Sequence, residues 1–155
     1  MFIEKHRGET TSYGATMFTE KHRGETTLEE LTEFEKGLIL GLLIGEVHFG
    51  GDRKQPQATL KMHQNQKALF DWLHGKLPLG KLYGPYTYKH GDGIERTFYQ
   101  MMFRGVALTE MLVPLLDSYD WRHISPHVYD RYERMKHRYP RQFGLLTPPE
   151  RTEPE

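Results

Sequence analysis

The segment from Glu35 to Phe49 constrains this chain most, because three glycines recur in it at intervals of four along an otherwise apolar run. Gly37, Gly41 and Gly45 at this spacing share one face of a helix. Each glycine in a helix interior costs about 1 kcal/mol relative to alanine. A face without side chains lets another backbone approach closely. We therefore predict a short helix whose glycine side packs against a second helix, with Glu46 at the end of that contact.

Length and composition indicate an ordinary globular domain. The chain has 155 residues, the length of one domain, and it has no cysteine, which excludes disulfides and thiolate metal sites. Its longest mainly apolar run, Gly37 to Gly45, is far shorter than the ~20 residues of a membrane helix, and the N-terminus has no basic-then-apolar signal pattern. We expect a soluble, intracellular protein of the cytoplasm, the nucleoid or an organelle.

Charge is distributed unevenly, although the formal net charge is zero. Residues 28–46 carry five acidic side chains against one basic side chain, a net charge of −4. Residues 47–104 carry nine basic against four acidic side chains, and residues 122–141 carry six against two. Basic regions separated from acidic ones steer a polyanion to one part of a surface. The distribution therefore favours a nucleic-acid partner.

The first 27 residues contain a near-identical repeat, since Met1–Thr11 and Met17–Thr27 differ at a single position. The copies are polar and turn-rich, and two copies are too few for a solenoid. We interpret residues 1–27 as a mobile or loosely docked polar arm. The alternative is a basic arm that binds phosphate, although each copy also holds two glutamates.

Hydrophobic periodicity and turn signals predict the elements after the arm. They begin with a helix start capped by Thr27, a glycine-striped helix from about Thr32 or Phe34 to Gly45, and strands at Val47–Arg53 and Gln57–His63 around a turn at Lys54–Pro56. The others are a helix from about Gln66 to Leu77 capped by Asn65, a hairpin of strands 81–89 and 95–104, an apolar helix over 106–116, and a last helix from about Ser125 to Tyr139. Two hairpins under helices make an α+β fold with a four-stranded antiparallel sheet. Residues 28–123 would form the core domain, and residues 124–155 a C-terminal helical extension with a tail.

Residues 39–49, Ile-Leu-Gly-Leu-Leu-Ile-Gly-Glu-Val-His-Phe, resemble the signature helix of the LAGLIDADG homing endonucleases. The segment from Gln57 to Leu77 resembles the second strand and second helix of the family members that carry one motif. The resemblance covers about residues 32–123 and implies the αββαββα fold with a twisted DNA-binding sheet. Because this chain has a single motif, it also implies a homodimer. The interface residues would be Gly37, Gly41, Gly45, Leu38 and Leu42.

The resemblance implies a site-specific DNA endonuclease that hydrolyses both strands of a long pseudo-palindromic target with divalent metal. The acidic metal ligand at the end of the family motif is Glu46 here, beside Gly45 in the same metal site. Two copies of Glu46 would meet at the dimer axis, where carboxylate and water oxygens suit Mg²⁺. Gln66 aligns with a glutamine near the hydrolytic water. Arg122 falls near the position of a basic residue at the scissile phosphate, with His123 as the alternative.

The strands would provide the surface for double-stranded DNA. Polar and basic side chains recur at alternate positions, and a β-ribbon that enters the major groove reads bases with such side chains. The residues are His48, Lys54, Thr59, Lys61, His63, Lys81, Tyr83, Thr87, Lys89, Gln100 and Arg104. In the third predicted strand, alternation predicts that four of them share one face: Lys81, Tyr83, Thr87 and Lys89. An ordinary solvated sheet face would show a similar pattern.

Two positions depart from the family pattern and keep other functions open. Ile44 replaces a frequent polar residue, and Val47 replaces the small residue that usually follows the acid. We expect Val47 to crowd the backbone near the metals. A second hypothesis is therefore a DNA-binding regulator that does not cut, and a third is a helix-mediated dimer without a nucleic-acid role. In the simplest alternative, Glu46 only ends a helix and Gln66 only begins one.

Overall fold

A computed structural model of the chain describes residues 28–145. Its elements are α1 (Glu33–Glu46), β1 (Val47–Gly51), β2 (Pro56–His63), α2 (Lys67–Lys76), β3 (Lys81–Lys89), β4 (Glu95–Arg104), a π-helical segment (Ala107–Leu112) that continues into α3 (Val113–Asp117), and α4 (Pro126–Arg138). The predicted arm at residues 1–27 and the tail after residue 145 lie outside the described residues. Within residues 28–145, no helix combines the length and hydropathy that a membrane crossing requires.

The four strands form one antiparallel sheet in the order β1-β2-β4-β3, which confirms the predicted α+β class. One face of the sheet packs against the helices, and the opposite face, called the outer face below, remains accessible to solvent. The inner face carries the buried residues Val47, Phe49, Ala58, Leu60, Met101 and Phe103. The helices add to the same core Ile39, Leu43, Phe70, Leu73, Leu108, Leu112 and Leu116.

The start of α1 is set by a capping box at Thr32. The Oγ1 atom of Thr32 accepts a hydrogen bond from the Glu35 amide, and the Glu35 carboxylate accepts one from the Thr32 amide, both at 3.1 Å. Lys76 on α2 forms an ion pair of 2.6 Å with Glu35, and this partner keeps the pKa of the Glu35 carboxyl below its usual value. The helix buries Ile39 and Leu43 and leaves its other side exposed.

The first hairpin turns earlier than predicted. Strand β1 ends at Gly51 rather than Arg53, because the Asp52 carboxylate accepts hydrogen bonds from the Gln55 amide at 2.8 Å and the Lys54 amide at 2.9 Å. These bonds hold the pKa of Asp52 below its usual value. An aspartate that bonds the backbone two and three residues ahead forms a local turn. Lys54 therefore lies in the turn, as predicted, but the prediction that it continues the strand face of His48 is wrong.

Helix α2 begins differently from the prediction, which made Asn65 its cap. A 3₁₀ turn over Gln64–Gln66 precedes the helix, and its capping side chain is His63, whose Nδ1 accepts a hydrogen bond from the Asn65 amide at 3.2 Å. Gln66 occupies the cap position of α2 without a side-chain hydrogen bond. The predicted helix exists, but it begins at Lys67.

The helix predicted over residues 106–116 contains Pro114, which has no backbone N–H to donate. The chain accommodates it by a π-helical segment over Ala107–Leu112, in which the Val113 amide reaches back to the Leu108 carbonyl. Pro114 then falls in the first turn of α3, where a missing donor is tolerated.

Helix α4 confirms the predicted last helix and packs on the same core as the sheet. Its apolar side buries Val128, Tyr132 and Met135. The Tyr132 ring centroid lies 5.0 Å from that of Phe49 on β1, and its hydroxyl donates to Asp117 at 2.8 Å. Burial, followed by this hydrogen bond to a carboxylate, raises the pKa of Tyr132.

Candidate nucleic-acid interface

The exposed side of α1 has no neighbour within the described residues. We call this side the glycine face, and its members are Phe34, Gly37, Leu38, Gly41 and Gly45. Among the described residues, a Cβ atom built at any of the three glycines would have no atom of another element within 4 Å. Phe34 is 76% exposed and Leu38 is 42% exposed, which is unusual for large apolar side chains on one helix side. The predicted interface residue Leu42 differs, because it packs partly against the core.

Glu46 is the last residue of α1, and its side chain is exposed. Its carboxylate forms no ion pair with any residue in the range 28–145. It lines a shallow groove of about 450 Å³ on the outer face, together with His48, Gln57, Thr59, Lys61, Gln100 and Met102. Four predicted DNA-binding residues thus lie around the predicted metal ligand.

Strand register explains why these side chains converge. Residues paired across antiparallel strands project to the same side of a sheet. One row crosses all four strands through His48, Thr59, Met102 and Lys81. A neighbouring row crosses three strands through Lys61, Gln100 and Tyr83. The register therefore places Lys81 and Tyr83 on the outer face as well, as predicted.

The remaining predicted outer-face residues lie at the two ends of the groove. Arg104 pairs with Gln57, and Gln57 pairs with Gly50 at the edge of the sheet. At the opposite end His63 pairs with Phe98. Each of these pairs lies two residues along its strands from a pair that lines the groove, so Arg104 and His63 also project to the outer face.

The prediction that Thr87 and Lys89 share a face with Lys81 is wrong. The pairing of β3 with β4 shifts between Tyr83 and Tyr86, so one extra residue of β3 stands in this stretch of the ladder. An extra residue reverses the alternation beyond it. The Thr87 hydroxyl consequently contacts that of Thr97 at 3.0 Å on the other face.

Aromatic side chains that the sequence reasoning missed occupy the places of those two residues. Tyr86 and Tyr88 lie on the outer face, with ring centroids 5.4 and 5.5 Å from that of Phe98. The Lys61 ammonium lies 5.6 Å from the Phe98 ring centroid. The only signal in the sequence is the alternation of aromatics in β3, which becomes readable once the register shift is known. Such a cluster offers apolar contact to thymine methyl groups.

The other predicted catalytic residues do not join Glu46 in the groove. Gln66 is exposed in the 3₁₀ turn. Arg122 is exposed after the buried Trp121, with its guanidinium 5.8 Å from the Tyr129 ring centroid. The alternative to Arg122, His123, lies near Asp120 at 3.9 Å.

Val47 does not crowd the groove. Its side chain is 6% exposed and belongs to the inner face, because it points away from the neighbouring His48. Ile44, the second departure from the family pattern, packs partly against the core. Neither Val47 nor Ile44 lines the groove around Glu46.

Metal binding by a single copy of the chain would need more ligands than the groove provides. Residues 28–145 contain no group of three or more His, Asp or Glu side chains that could hold a metal ion. Glu46 supplies one carboxylate, the ligand type that Mg²⁺ prefers. A second carboxylate would come from Glu46 of a second copy, and water or phosphate oxygens would complete the coordination.

Comparison of the sequence with known protein families gives no match, and comparison with curated proteins gives none either. A fold alone does not determine a function. The function therefore has to be inferred from the chemistry of the glycine face and the groove.

Proposed function

We propose that this protein is a homodimeric, Mg²⁺-dependent DNA endonuclease on the LAGLIDADG-type αββαββα fold, which cuts both strands of a long pseudo-palindromic site. The observation that carries the proposal is the position of Glu46. This residue ends the glycine face and also lines the outer-face groove. One carboxylate thus connects a candidate dimer contact with a candidate DNA surface.

The dimer would form by packing two glycine faces around a two-fold axis. Open space at Gly37, Gly41 and Gly45 admits a second helix backbone at close range. Such packing would also cover Phe34 and Leu38, whose exposure in a single chain is unfavourable. Because the contact ends at the last helical residue, it would bring the two Glu46 carboxylates near the axis.

The groove would bind the backbone of one strand beside these carboxylates. The two Glu46 side chains would hold the cation, and its oxygen ligands would come from carboxylate, water and phosphate. When bound, the metal would activate water and stabilise the leaving oxygen of the phosphodiester. Lys61 lines the same groove and would neutralise phosphate charge.

The outer face would enter the major groove on either side of the axis. Lysine and arginine recognise guanine there, and glutamine recognises adenine. Lys81, Gln100 and Arg104 lie on this face in three different rows of the ladder. A two-fold dimer of such sheets fits a site whose halves repeat in opposite orientation.

A second candidate function is sequence-specific DNA binding without cleavage. It is favoured by the positions of Gln66 and Arg122, neither of which lines the groove around Glu46. A regulator would need the outer face and the dimer, but no metal.

Glu46→Gln is expected to reduce cleavage about 1,000-fold or more, because the metal loses a charged ligand worth several kcal/mol in the transition state. The measurement is selection from a randomised duplex library with Mg²⁺, followed by sequencing of cut and bound duplexes. Glu110→Gln, at an exposed glutamate of the π-helical segment, is the matched control and should cut normally.

The same selection separates the competing functions. Salt-sensitive binding without cleavage by the wild type would support the regulator. No duplex binding at low salt would contradict both DNA functions and support a helix-mediated dimer without a nucleic-acid role.

A further inference from the structure

Three arginines on α4 surround a small cleft at the edge of the sheet. Arg131, Arg134 and Arg138 follow spacings of three and four, which place them on one helix side. We call this the arginine cleft; it has a volume of about 180 Å³, and its other lining residues are Phe49, Gly50, Met135 and Tyr139. Because β1 is an edge strand, the cleft lies where α4 meets the edge of the sheet.

The positive charge of the cleft is not neutralised by neighbouring acids. None of the three arginines forms an ion pair with a residue in the described part of the chain. Glu133 on the same helix is held by Lys136 at 2.7 Å. The Arg134 side chain donates only to the backbone carbonyl of Asp130, at 3.3 Å. The guanidinium groups are therefore available to an external anion.

The cleft continues the outer face through Gly50. Gly50 lines the cleft and pairs with Gln57, which in turn pairs with Arg104. The Nε2 atom of His48 lies 3.1 Å from the place where a Cβ of Gly50 would be. Since His48 also lines the groove around Glu46, the groove and the cleft are neighbours along β1.

Helix α4 is held firmly against the first hairpin. The Tyr139 hydroxyl accepts a hydrogen bond from the Arg53 amide at 3.2 Å, and the Gln142 side chain donates to the Lys54 carbonyl at 3.3 Å. Tyr139 itself is buried beside Gly51. The arginines are thus placed relative to the sheet before any ligand binds, which lowers the entropy cost of binding.

We propose that the arginine cleft binds backbone phosphates of duplex DNA just outside the stretch covered by the sheet, a proposal that rests on the proposed function. Guanidinium groups bind phosphate oxygens through two parallel hydrogen bonds. Such contacts position a protein on DNA without reading sequence. An anionic membrane fits less well, because the apolar residues in the cleft, Phe49, Met135 and Tyr139, are buried and leave nothing to insert.

The test compares the wild type with two triple variants, Arg131, Arg134 and Arg138 all to glutamine or all to lysine. Binding is measured over a range of salt concentrations to two versions of a selected duplex. The long version extends beyond the stretch that the sheet covers, and the trimmed version ends where that stretch ends. On the long version the glutamine variant should bind at least about tenfold more weakly, with a salt slope shallower by up to about 5 per dimer if all six contacts are lost. The lysine variant should keep most of the slope, because it keeps the charge.

Trimming the duplex should remove most of the difference between wild type and the glutamine variant. Equal affinity and equal slope for both proteins on the long duplex would overturn the cleft proposal and leave the proposed function intact. A wild type that binds no duplex would overturn both. Binding to phosphatidylserine vesicles that needs the arginines, with unchanged DNA binding, would instead assign the cleft to a membrane. Circular dichroism and sedimentation confirm that each variant is folded and dimeric before binding is compared.

Discussion

Replacing Gly41 by leucine is expected to convert the proposed dimer into monomers and to abolish the proposed DNA cleavage. Gly41 is the central glycine of the glycine face, and within residues 28–145 a Cβ built there has no atom of another element within 4 Å. In the dimer, two leucines would meet near the axis, and overpacking costs about 1–3 kcal/mol at each site. The dimer Kd should rise about 100-fold or more, as measured by sedimentation equilibrium.

Gly75→Leu is the matched control for this change. Gly75 is also an exposed helical glycine with nothing within 4 Å of a built Cβ, but it lies on α2, away from the glycine face. It should leave the dimer intact. Both substitutions should stabilise their own helix by roughly 1 kcal/mol, since leucine has the higher helix propensity. A Gly41→Leu protein that remains dimeric would contradict the role assigned to the glycine face.

Tyr132→Ala is expected to destabilise the protein by about 3–5 kcal/mol, the usual loss when a large aromatic side chain is removed from a core. Tyr132 is fully buried and contacts aromatic rings from two directions, Phe49 on β1 and Trp121 before α4. Its removal should loosen α4 from the sheet. Urea denaturation measures the free energy of unfolding, and a loss below about 1 kcal/mol would contradict the role assigned to this contact.

Tyr132→Phe keeps the ring and removes only the hydrogen bond to Asp117, so it should cost about 0.5–1.5 kcal/mol.

The buried hydroxyl of Tyr132 should also make the stability of the wild type depend on pH. The raised pKa of Tyr132 means that the folded state keeps the neutral phenol while the unfolded state ionises near the ordinary tyrosine value, about 10. The wild type should therefore lose stability as pH rises above about 10, by up to about 1.4 kcal/mol per pH unit from this group, and Tyr132→Phe should show a shallower decline.

The elements that the sequence predicts well are those whose patterns are long or local. Helix α4 shows its buried side through Val128, Tyr132 and Met135 at helical spacing, and the structure confirms it. The predicted start of α1, at about Thr32 or Phe34, agrees with the observed start at Glu33, but the capping box at Thr32 that sets this start was not predicted. The glycine spacing likewise indicated which side of α1 would lack bulky side chains, but it did not reveal that Phe34 lies on that side too.

The faces of the strands were predicted less well. A face is assigned by counting alternate residues, so one irregular position changes the face of every residue that follows it. One extra residue between Tyr83 and Tyr86 reverses every position after it, and nothing local in the sequence marks the shift. The hydrogen bonds of Asp52 end β1 two residues earlier than predicted, at Gly51, so the alternation from His48 does not extend to Lys54. Contacts between distant segments, such as the approach of α4 to Gly50, depend on tertiary packing and leave no pattern in the sequence.

The sequence predicts those residues of the candidate site whose place depends only on their position along one helix or one hairpin. Glu46 follows from the end of α1, and His48 and Thr59 follow from the hairpin that continues it. Gln66 and Arg122 were placed by the family resemblance alone, at the ends of elements, where alignment is weakest.

Mapping the cut positions on both strands of a duplex selected by the wild-type protein tests the proposed dimeric endonuclease most directly. We expect one cut in each strand, at positions related by the two-fold axis of the target. Below the dimer Kd, the cutting rate should fall with the square of the chain concentration. Both cuts should disappear in Glu46→Gln and in Gly41→Leu. Full cleavage by either variant, or cuts confined to one strand, would contradict a metal site built from two Glu46 carboxylates.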